Sequence, residues 1–169
     1  MKIAALLLFA FANDWPPPVE IRHEDNLCVS YQARMDGPYL VVRATVGAGW
    51  HTFAMDNQKR AEEKLAGKAA LSMDRNTEIT PVAGVQIAGA WYQSEPKDFS
   101  RPQLRWFSWG FDKEAMFAAK ARATGNGRVR LRGQACTESI CKNVDVTLTV
   151  PAGKGGAGEI DVKGLVPVR

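Results

Sequence analysis

Apolar and polar residues alternate along much of this chain, which is the period of half-buried β-strands. After residue 143, every second position is apolar and belongs to one face: Val144, Val146, Leu148 and Val150. Residues 128–132 alternate in the same way, with three arginines on one face and two apolar side chains on the other. The loop between these runs has a cysteine at each end, Cys136 and Cys141. The pattern predicts a β-hairpin whose sulfur atoms can meet across the loop, provided that the Cα atoms lie about 4.4–6.8 Å apart.

The same pattern predicts further strands, separated by turns rich in glycine, proline and asparagine. The expected segments are residues 27–35, 39–46, 78–82, 84–87 and 115–123. Residues 58–66 are instead rich in the helix formers Lys, Arg, Glu and Ala, and Gly67 is a natural stop. Residues 91–110 carry two prolines and many aromatic residues, which predicts a long loop that folds back over the structure. About seven or eight short strands predict an all-β fold, an immunoglobulin-like antiparallel β-sandwich with one short helical insertion.

The two ends of the chain differ in composition from its middle. A positive start precedes an unbroken apolar run that ends on Ala-Phe-Ala, so residues 1–12 are predicted to be a signal peptide. Its roughly ten apolar residues are too few for a membrane-spanning helix, which needs about 20. The rest is expected to divide into a Pro-rich lead-in (13–18), one domain (19–151), and a Gly-rich spacer with a C-terminal tail (152–169). We expect an exported protein, periplasmic or otherwise, without stable membrane insertion after cleavage.

Charge does not indicate a nucleic-acid partner. The formal net charge is +4, and removal of Lys2 with the leader lowers it by one. The basic residues are mixed with acidic ones, whereas a nucleic-acid surface requires clustered lysine and arginine. We therefore expect no nucleic acid among the partners, and the protein is expected to be a monomer.

The spacing of Cys136 and Cys141 fits more than one role. As a structural staple, a disulfide that closes a loop of about six residues restricts the unfolded chain by only about 2 kcal/mol, against nearly 5 kcal/mol for about a hundred residues. As a redox pair, the two thiols could exchange reversibly with a partner's disulfide, because both sulfur atoms are close together on a firm scaffold. Export permits either role, since disulfides persist in oxidising compartments.

Metal binding is a third interpretation of the two cysteines. A closed zinc site takes four ligands, and only His23, His51 and Cys28 remain to complete one. These residues are distant in the sequence. His23 lies in a charged stretch, whereas His51 and Cys28 are expected to pack inside strands. We therefore expect no metal site and no cofactor.

Three segments together resemble a known family. They are residues 49–53 (Gly-Trp-His-Thr-Phe), the aromatic residues 91–110, and residues 134–141 with the strand that follows. Over residues 19–151 the chain is similar to the N-terminal periplasmic domain of the thiol:disulfide interchange protein DsbD, in the disulfide bond corrector family. The resemblance implies an immunoglobulin-like domain that passes electrons from a membrane-coupled thioredoxin-like donor to other exported redox proteins. The donor would be a separate polypeptide.

The resemblance also implies roles for individual residues. Cys141 would form transient mixed disulfides with thioredoxin-fold partners, and Cys136 would resolve them. An aromatic cap between residues 95 and 109 would shield the pair, with Phe99 as the cap residue and Trp106 or Trp109 as alternatives.

Two other functions stay open at this point. The domain could be a non-catalytic immunoglobulin-like binding module whose hairpin disulfide is permanent, and a measured reduction potential would separate this function from exchange. A carbohydrate-binding or adhesion module would instead use exposed aromatic residues. It would require several of Trp91, Tyr92, Trp106 and Trp109 to form an open platform.

Overall fold

The computed structural model describes residues 15–153 and 158–169. The predicted signal peptide, the first two residues of the lead-in and four residues of the Gly-rich spacer lie outside the described residues. Among the described residues there are ten strands and one α-helix: β1 (Val19–His23), β2 (Asn26–Asp36), β3 (Tyr39–Val46), β4 (His51–Phe53), α1 (Asn57–Leu65), β5 (Glu78–Gln93), β6 (Lys97–Asp98), β7 (Trp109–Phe111), β8 (Glu114–Cys136), β9 (Cys141–Val150) and β10 (Val166–Pro167).

The strands are arranged around β8, the longest of them. Its first part pairs with β3, its second part pairs with β9, and β5 runs beside both parts. All of these pairings are antiparallel. Strand β2 contacts β9 without sharing a hydrogen-bonded ladder with it, so the sheet forms two facing layers. The predicted all-β, immunoglobulin-like antiparallel β-sandwich with one short helical insertion is thereby confirmed.

The core lies between these layers and is built from the apolar faces that the alternation predicted. In β9 the side chains of Val144, Leu148 and Val150 are buried, and the intervening polar positions are exposed. The largest fully buried side chains, Tyr31, Phe53 and Phe117, come from three different strands. Burial of a large apolar side chain stabilises a fold by roughly 1.5–3 kcal/mol. The two cysteines are therefore carried by strands that the core holds firmly.

Strand β8 is longer than the sequence predicted. Residues 124–127 have the composition of a turn, yet they continue the strand. The reason is tertiary. Strand β5 pairs with β8 on both sides of these residues, and the register between the two strands shifts near Ala83. Gly84 has a φ of 65°, and a Cβ atom there would lie 2.8 Å from the carbonyl oxygen of Asn126. A glycine on β5 thus permits the close approach of the two strands.

Helix α1 begins one residue before the predicted segment and ends one residue earlier. Its last turn closes on Ala66, which adopts the left-handed conformation and donates its N–H to Glu62. Asp56, just before the helix, accepts hydrogen bonds from Arg60 Nε at 2.9 Å and from Gln93 Nε2 at 2.8 Å. These bonds attach the helix to β5 inside the domain.

The C-terminal tail also contacts the domain where it is described. Strand β10 pairs with the end of β5, and the N–H of Val168 donates to the carbonyl of Trp91. The N–H of Ile160 donates to Asp36 Oδ2 at 2.8 Å, and the N–H of Arg169 donates to Asp56 Oδ2 at 3.1 Å. The tail therefore adds a short edge strand beside β5.

Candidate functional site

Cys136 and Cys141 form a disulfide at one end of the sandwich. Cys136 is the last residue of β8, Cys141 is the first of β9, and the two occupy directly opposite positions in the antiparallel ladder. Their sulfur atoms are bonded at 2.06 Å and their Cα atoms are 4.1 Å apart, slightly closer than the range expected from the sequence. Opposite residues in an antiparallel ladder approach this closely when they do not exchange backbone hydrogen bonds.

The loop between the cysteines is ordered by Thr137. Its hydroxyl oxygen accepts hydrogen bonds from the N–H groups of Ser139 and Ile140, and its own N–H donates to the carbonyl of Ile140 at 2.8 Å. Short threonine-based turns of this kind fix the loop conformation locally. We call residues 136–141 the cysteine loop.

The two cysteines differ in exposure. Cys136 is only 2% exposed, because β9 flanks it on one side and His51 of β4 pairs with it on the other. Cys141 is exposed, because β9 pairs with β8 alone among the described strands. A molecule that approaches from solvent therefore meets Cys141 before Cys136.

The segment 91–110 is not the long loop that its composition predicted: residues 91–93 end β5, because they pair with β8, and the residues from 97 onward form a narrow hairpin. We call residues 97–111, with β6 and β7 at the base, the cap hairpin. Above β6 and β7, the N–H of Phe99 donates to Ser108 O at 2.8 Å and the N–H of Arg101 donates to Trp106 O at 2.7 Å. A short 3₁₀ turn, Pro102–Leu104, forms the tip.

The cap hairpin contacts the site through Phe99. Its ring is stacked on the ring of His51, with centroids 4.9 Å apart and an interplanar angle of 22°. His51 is the ladder neighbour of Cys136, so the side chain predicted as the cap lies one strand away from the disulfide. Of the alternatives, Trp106 lines the same cleft, whereas Trp109 is buried at the base of the hairpin.

Asp74 is a site residue that sequence reasoning missed. One of its carboxylate oxygens lies within 4.8 Å of the sulfur atoms of Cys136 and Cys141, and the residue is 7% exposed. Its Oδ2 accepts a hydrogen bond from Trp106 Nε1 at 2.8 Å, which joins it to the cap hairpin. Asp74 lies in an irregular segment between α1 and β5, and nothing in the local sequence marks it as close to the cysteines.

The backbone around Asp74 is held from two sides. Asn57 Nδ2 donates to the carbonyl of Asp74 at 2.9 Å, and the N–H of the next residue, Arg75, donates to Gln134 Oε1 at 3.1 Å. Because Asn57 belongs to α1 and Gln134 to β8, the helix and the cysteine-bearing strand together position the carboxylate.

A cleft of about 500 Å³ separates the cap hairpin from the cysteine loop. Its walls include Trp50, His51, Phe99, Trp106 and Cys136. Its charged side chains are mostly acidic: Asp74, Asp98, Asp112 and Glu138, against one arginine, Arg101. The cleft thus combines an aromatic wall with an acidic rim beside the disulfide.

The surroundings of His51 favour its neutral form. Burial is the main cause that lowers its pKa, while Asp74 and Asp112 partly offset this effect and Arg101 adds to it. A neutral imidazole suits the stacked contact with Phe99.

The lowered pKa of His51 predicts acid sensitivity near pH 6. The unfolded chain takes up a proton on this histidine at a pKa of about 6.5, and the folded protein does so only at lower pH. The free energy of unfolding should therefore decrease as the pH falls through this range. Denaturant unfolding at pH 7 and pH 5 should show a smaller decrease for His51→Gln than for the unsubstituted protein. An equal decrease in both proteins would contradict the prediction.

A metal ion does not fit the disulfide state. The atoms of Asp74, Cys136 and Cys141 are close enough to share an ion, but both sulfurs are bonded to each other and offer no thiolate. His23, His51 and Cys28, the other ligands considered from the sequence, do not belong to this cluster. Cys28 is fully buried as expected, and burial is the main cause that raises the pKa of its thiol.

The remaining aromatic residues do not form an open platform. Trp109 is buried, Trp91 and Tyr92 are half-buried in β5, and the indole N–H of Trp106 is bonded to Asp74. An aromatic surface for sugars is therefore not apparent among the described residues.

The fold is similar to that of a solved periplasmic domain. It resembles that of the N-terminal periplasmic domain of ScsB from Proteus mirabilis. The identity is 17% and the TM-score 0.51, over 82% of this chain and 50% of that chain. The present chain thus spans half the length of that ScsB structure. Because the identity is low, the likeness establishes the fold alone.

Two further structures are similar at lower scores. One is the DsbD N-terminal domain of Neisseria meningitidis in the reduced form, with 14% identity, a TM-score of 0.39, and coverage of 75% of this chain and 86% of that chain. The other is the GAE domain of GGA2p from Saccharomyces cerevisiae, with 8% identity, a TM-score of 0.38, and coverage of 82% and 100%. No protein-family model and no curated protein matches the sequence. The resemblance predicted from the sequence is confirmed for the fold.

The described residues include no helix that is both long enough and apolar enough to cross a membrane.

Proposed function

We propose that this protein is an exported thiol–disulfide exchange domain that passes electrons through Cys136 and Cys141. The observation that carries the proposal is the unequal exposure of the two bonded cysteines on a rigid hairpin. Cys141 is exposed at the start of an edge strand, and Cys136 is buried beside it. Exchange requires one sulfur that a partner can reach and a second sulfur that can resolve the mixed disulfide.

The electron transfer follows directly from this arrangement. In the reduced protein, the Cys141 thiolate attacks a partner's disulfide, forms a mixed disulfide and releases one partner thiolate. The Cys136 thiolate then attacks the Cys141 sulfur, restores the Cys136–Cys141 bond and releases the second partner thiolate. Two electrons pass to the partner, and the two protons lost by the cysteines balance those that the partner thiolates take up. The reverse sequence, with a reduced partner as electron donor, converts the Cys136–Cys141 disulfide back to two thiols.

Partners of the thioredoxin fold suit this chemistry, and the resemblance to DsbD and ScsB domains supports an exported compartment. A thioredoxin-like donor and an exported redox acceptor would each dock at the cysteine loop. The acidic rim of the cleft, with Asp98 and Glu138, favours a neutral or basic surface around the partner's cysteines.

A measured reduction potential tests the proposal. The protein would be equilibrated with buffers of reduced and oxidised glutathione, and with dithiothreitol buffers for the more negative potentials, and the fraction of Cys136–Cys141 disulfide would be read by mass spectrometry after trapping of free thiols. We expect a potential in the range of thioredoxin-fold carriers, roughly −120 to −270 mV. A value below about −300 mV would indicate a permanent bond and would favour the alternative, a non-catalytic immunoglobulin-like binding domain.

Phe99 should limit access to the cysteine pair. Removal of its ring in Phe99→Ala abolishes the stacked contact with His51, and such aromatic contacts are worth about 0.5–1.5 kcal/mol. We therefore expect glutathione to reduce the disulfide about threefold to tenfold faster in this variant. Stopped-flow measurement of thiol exchange provides the rate.

Leu104→Ala is a matched control for the cap. Leu104 lies at the tip of the same hairpin, is 42% exposed and does not line the cleft. Its truncation should leave the rate unchanged. If both variants were equally fast, or if Phe99→Ala were no faster than the unsubstituted protein, Phe99 would not be the cap.

A further inference from the structure

Asp74 is buried beside the disulfide without a positively charged partner. The carboxylate lies within 4.8 Å of both sulfur atoms, and its only hydrogen bond from a side chain in the described part of the chain comes from the neutral indole of Trp106. No lysine, arginine or histidine in residues 15–153 or 158–169 forms an ion pair with it. Its negative charge is therefore not neutralised locally and acts on the sulfur atoms.

Hydrogen bonds hold the Asp74 carboxylate in its position beside the disulfide. The side chain of Asn57 and that of Gln134 hold the backbone of residues 74 and 75, and Trp106 holds Oδ2. When the disulfide is reduced, two thiols occupy the space beside this fixed charge. A second negative charge at this distance is unfavourable, because like charges about 4–6 Å apart repel each other and the burial of Asp74 limits the water that could screen them.

We propose that Asp74 suppresses ionisation of the reduced cysteine pair and so keeps it unreactive until a partner opens the cap hairpin. This inference rests on the proposed exchange function and adds a residue that controls it. Only the thiolate attacks disulfides and oxidants, so a protonated pair keeps its two electrons. Opening of the cap hairpin breaks the hydrogen bond from Trp106 to Asp74 and admits water around the carboxylate. Water weakens the repulsion, and the thiolate then forms beside the partner that is to receive the electrons.

Other titratable and charged groups lie near the sulfur atoms, and some oppose while others favour formation of a thiolate. Those that line the cleft are Glu138, His51, Asp98, Arg101 and Asp112, and Lys142 and Arg75 are the sequence neighbours of Cys141 and Asp74. Most of these are partly or fully exposed, and Asp112 is paired with Lys97. Exposed charges are screened by salt, whereas the effect of a buried one persists. Asp74 is therefore expected to dominate at high ionic strength.

The test is the pH dependence of alkylation in Asp74→Asn. Asparagine keeps the shape and an oxygen acceptor for Trp106 but removes the charge. The protein would be reduced with a phosphine and treated with iodoacetamide from pH 6 to pH 10 in 0.5 M salt, and the rate at Cys141 would be read from its peptide by mass spectrometry. We expect the midpoint of the profile to move down by at least one pH unit, which makes alkylation at pH 7 about tenfold faster.

Glu138→Gln is the charge-matched control. Glu138 lies between the cysteines in sequence but is exposed, so its removal should leave the midpoint unchanged at this salt concentration. An unchanged midpoint in Asp74→Asn, or an equal shift in Glu138→Gln, would overturn the proposal. A change in access alone would scale the rate equally at every pH and leave the midpoint in place, which also counts against it.

The unsubstituted protein provides a measurement that does not depend on the variant folding. The midpoint for Cys141 should lie above about 8.5, the value for a free cysteine, and a midpoint at or below that value would overturn the proposal. Chemical reduction requires no protein partner, so these pH profiles test the electrostatic effect of Asp74 independently of the exchange function. A shifted profile together with a potential below about −300 mV would support the electrostatic role of Asp74 and refute exchange.

Discussion

Replacement of Cys141 by serine should abolish the formation of mixed disulfides with a thioredoxin-fold partner. The remaining cysteine of the pair, Cys136, is 2% exposed at the wall of the cleft and is flanked by β9 and β4, so we expect that a partner's disulfide does not react with it. The complementary variant, Cys136→Ser, keeps the exposed sulfur but lacks the resolving thiol. It should accumulate a mixed disulfide that non-reducing electrophoresis and mass spectrometry detect.

Cys28→Ala is the control for the third thiol. Cys28 is fully buried in β2, and its substitution should leave exchange intact. Circular dichroism should show the same β-rich spectrum for all three variants, because each replaces one small side chain. Electron transfer by Cys141→Ser at the rate of the unsubstituted protein would refute the assignment of Cys141 as the exchanging residue.

Replacement of Asp56 by alanine should produce the largest loss of stability among polar substitutions. Its buried carboxylate accepts hydrogen bonds from Arg60, Gln93 and the N–H of Arg169, and thus joins α1, β5 and the tail. Removal of one member of a buried ion pair leaves an uncompensated charge and typically costs about 3–5 kcal/mol. Urea unfolding, followed by tryptophan fluorescence, measures this loss.

Asp145→Ala is the matched control for Asp56. Asp145 also pairs with an arginine, Arg130, at 2.6 Å, but both side chains are about half exposed. Such surface pairs contribute little, so the unfolding midpoint should hardly change. A large loss of stability in Asp145→Ala, or a negligible one in Asp56→Ala, would show that burial does not determine how much these ion pairs contribute to stability.

Asp56 also predicts how stability depends on acid. Burial by itself would raise the pKa of this carboxyl, but the hydrogen bonds from Arg60, Gln93 and Arg169 together hold it below its usual value. Its contribution is therefore fully present above the unfolded pKa of about 3.9 and is lost as the pH falls through the lower folded value. The difference in stability between the unsubstituted protein and Asp56→Ala should consequently shrink below pH 4.

Much of the scaffold could be predicted because it depends on local patterns. The alternation in residues 39–46 predicts β3 with its observed bounds, and the apolar face of β9 is the face that the core buries. The helical composition of residues 58–66 locates α1 to within one residue at either end. The cysteine hairpin follows from the same reasoning, because two alternating runs flank its loop.

Predictions failed where a segment's structure depends on distant partners. Residues 124–127 have the composition of a turn but remain extended beside β5, and residues 97–111 form a hairpin rather than an irregular loop. Asp74 could not be predicted, because its relation to the cysteines depends on hydrogen bonds to α1 and β8. The position of Phe99 came from resemblance to a family and not from its local sequence.

The sequence by itself determined the main parts of β2, β3, β8 and β9, the faces that these strands bury and which two cysteines share a hairpin. These features depend on a period of two along the chain and on turn residues, both of which are local. Only the tertiary structure decided that Cys141 is exposed and Cys136 buried, and that His51, Phe99 and Asp74 surround the pair. The physical reason is that exposure and charge proximity arise from the packing of segments far apart in sequence, which no local pattern specifies.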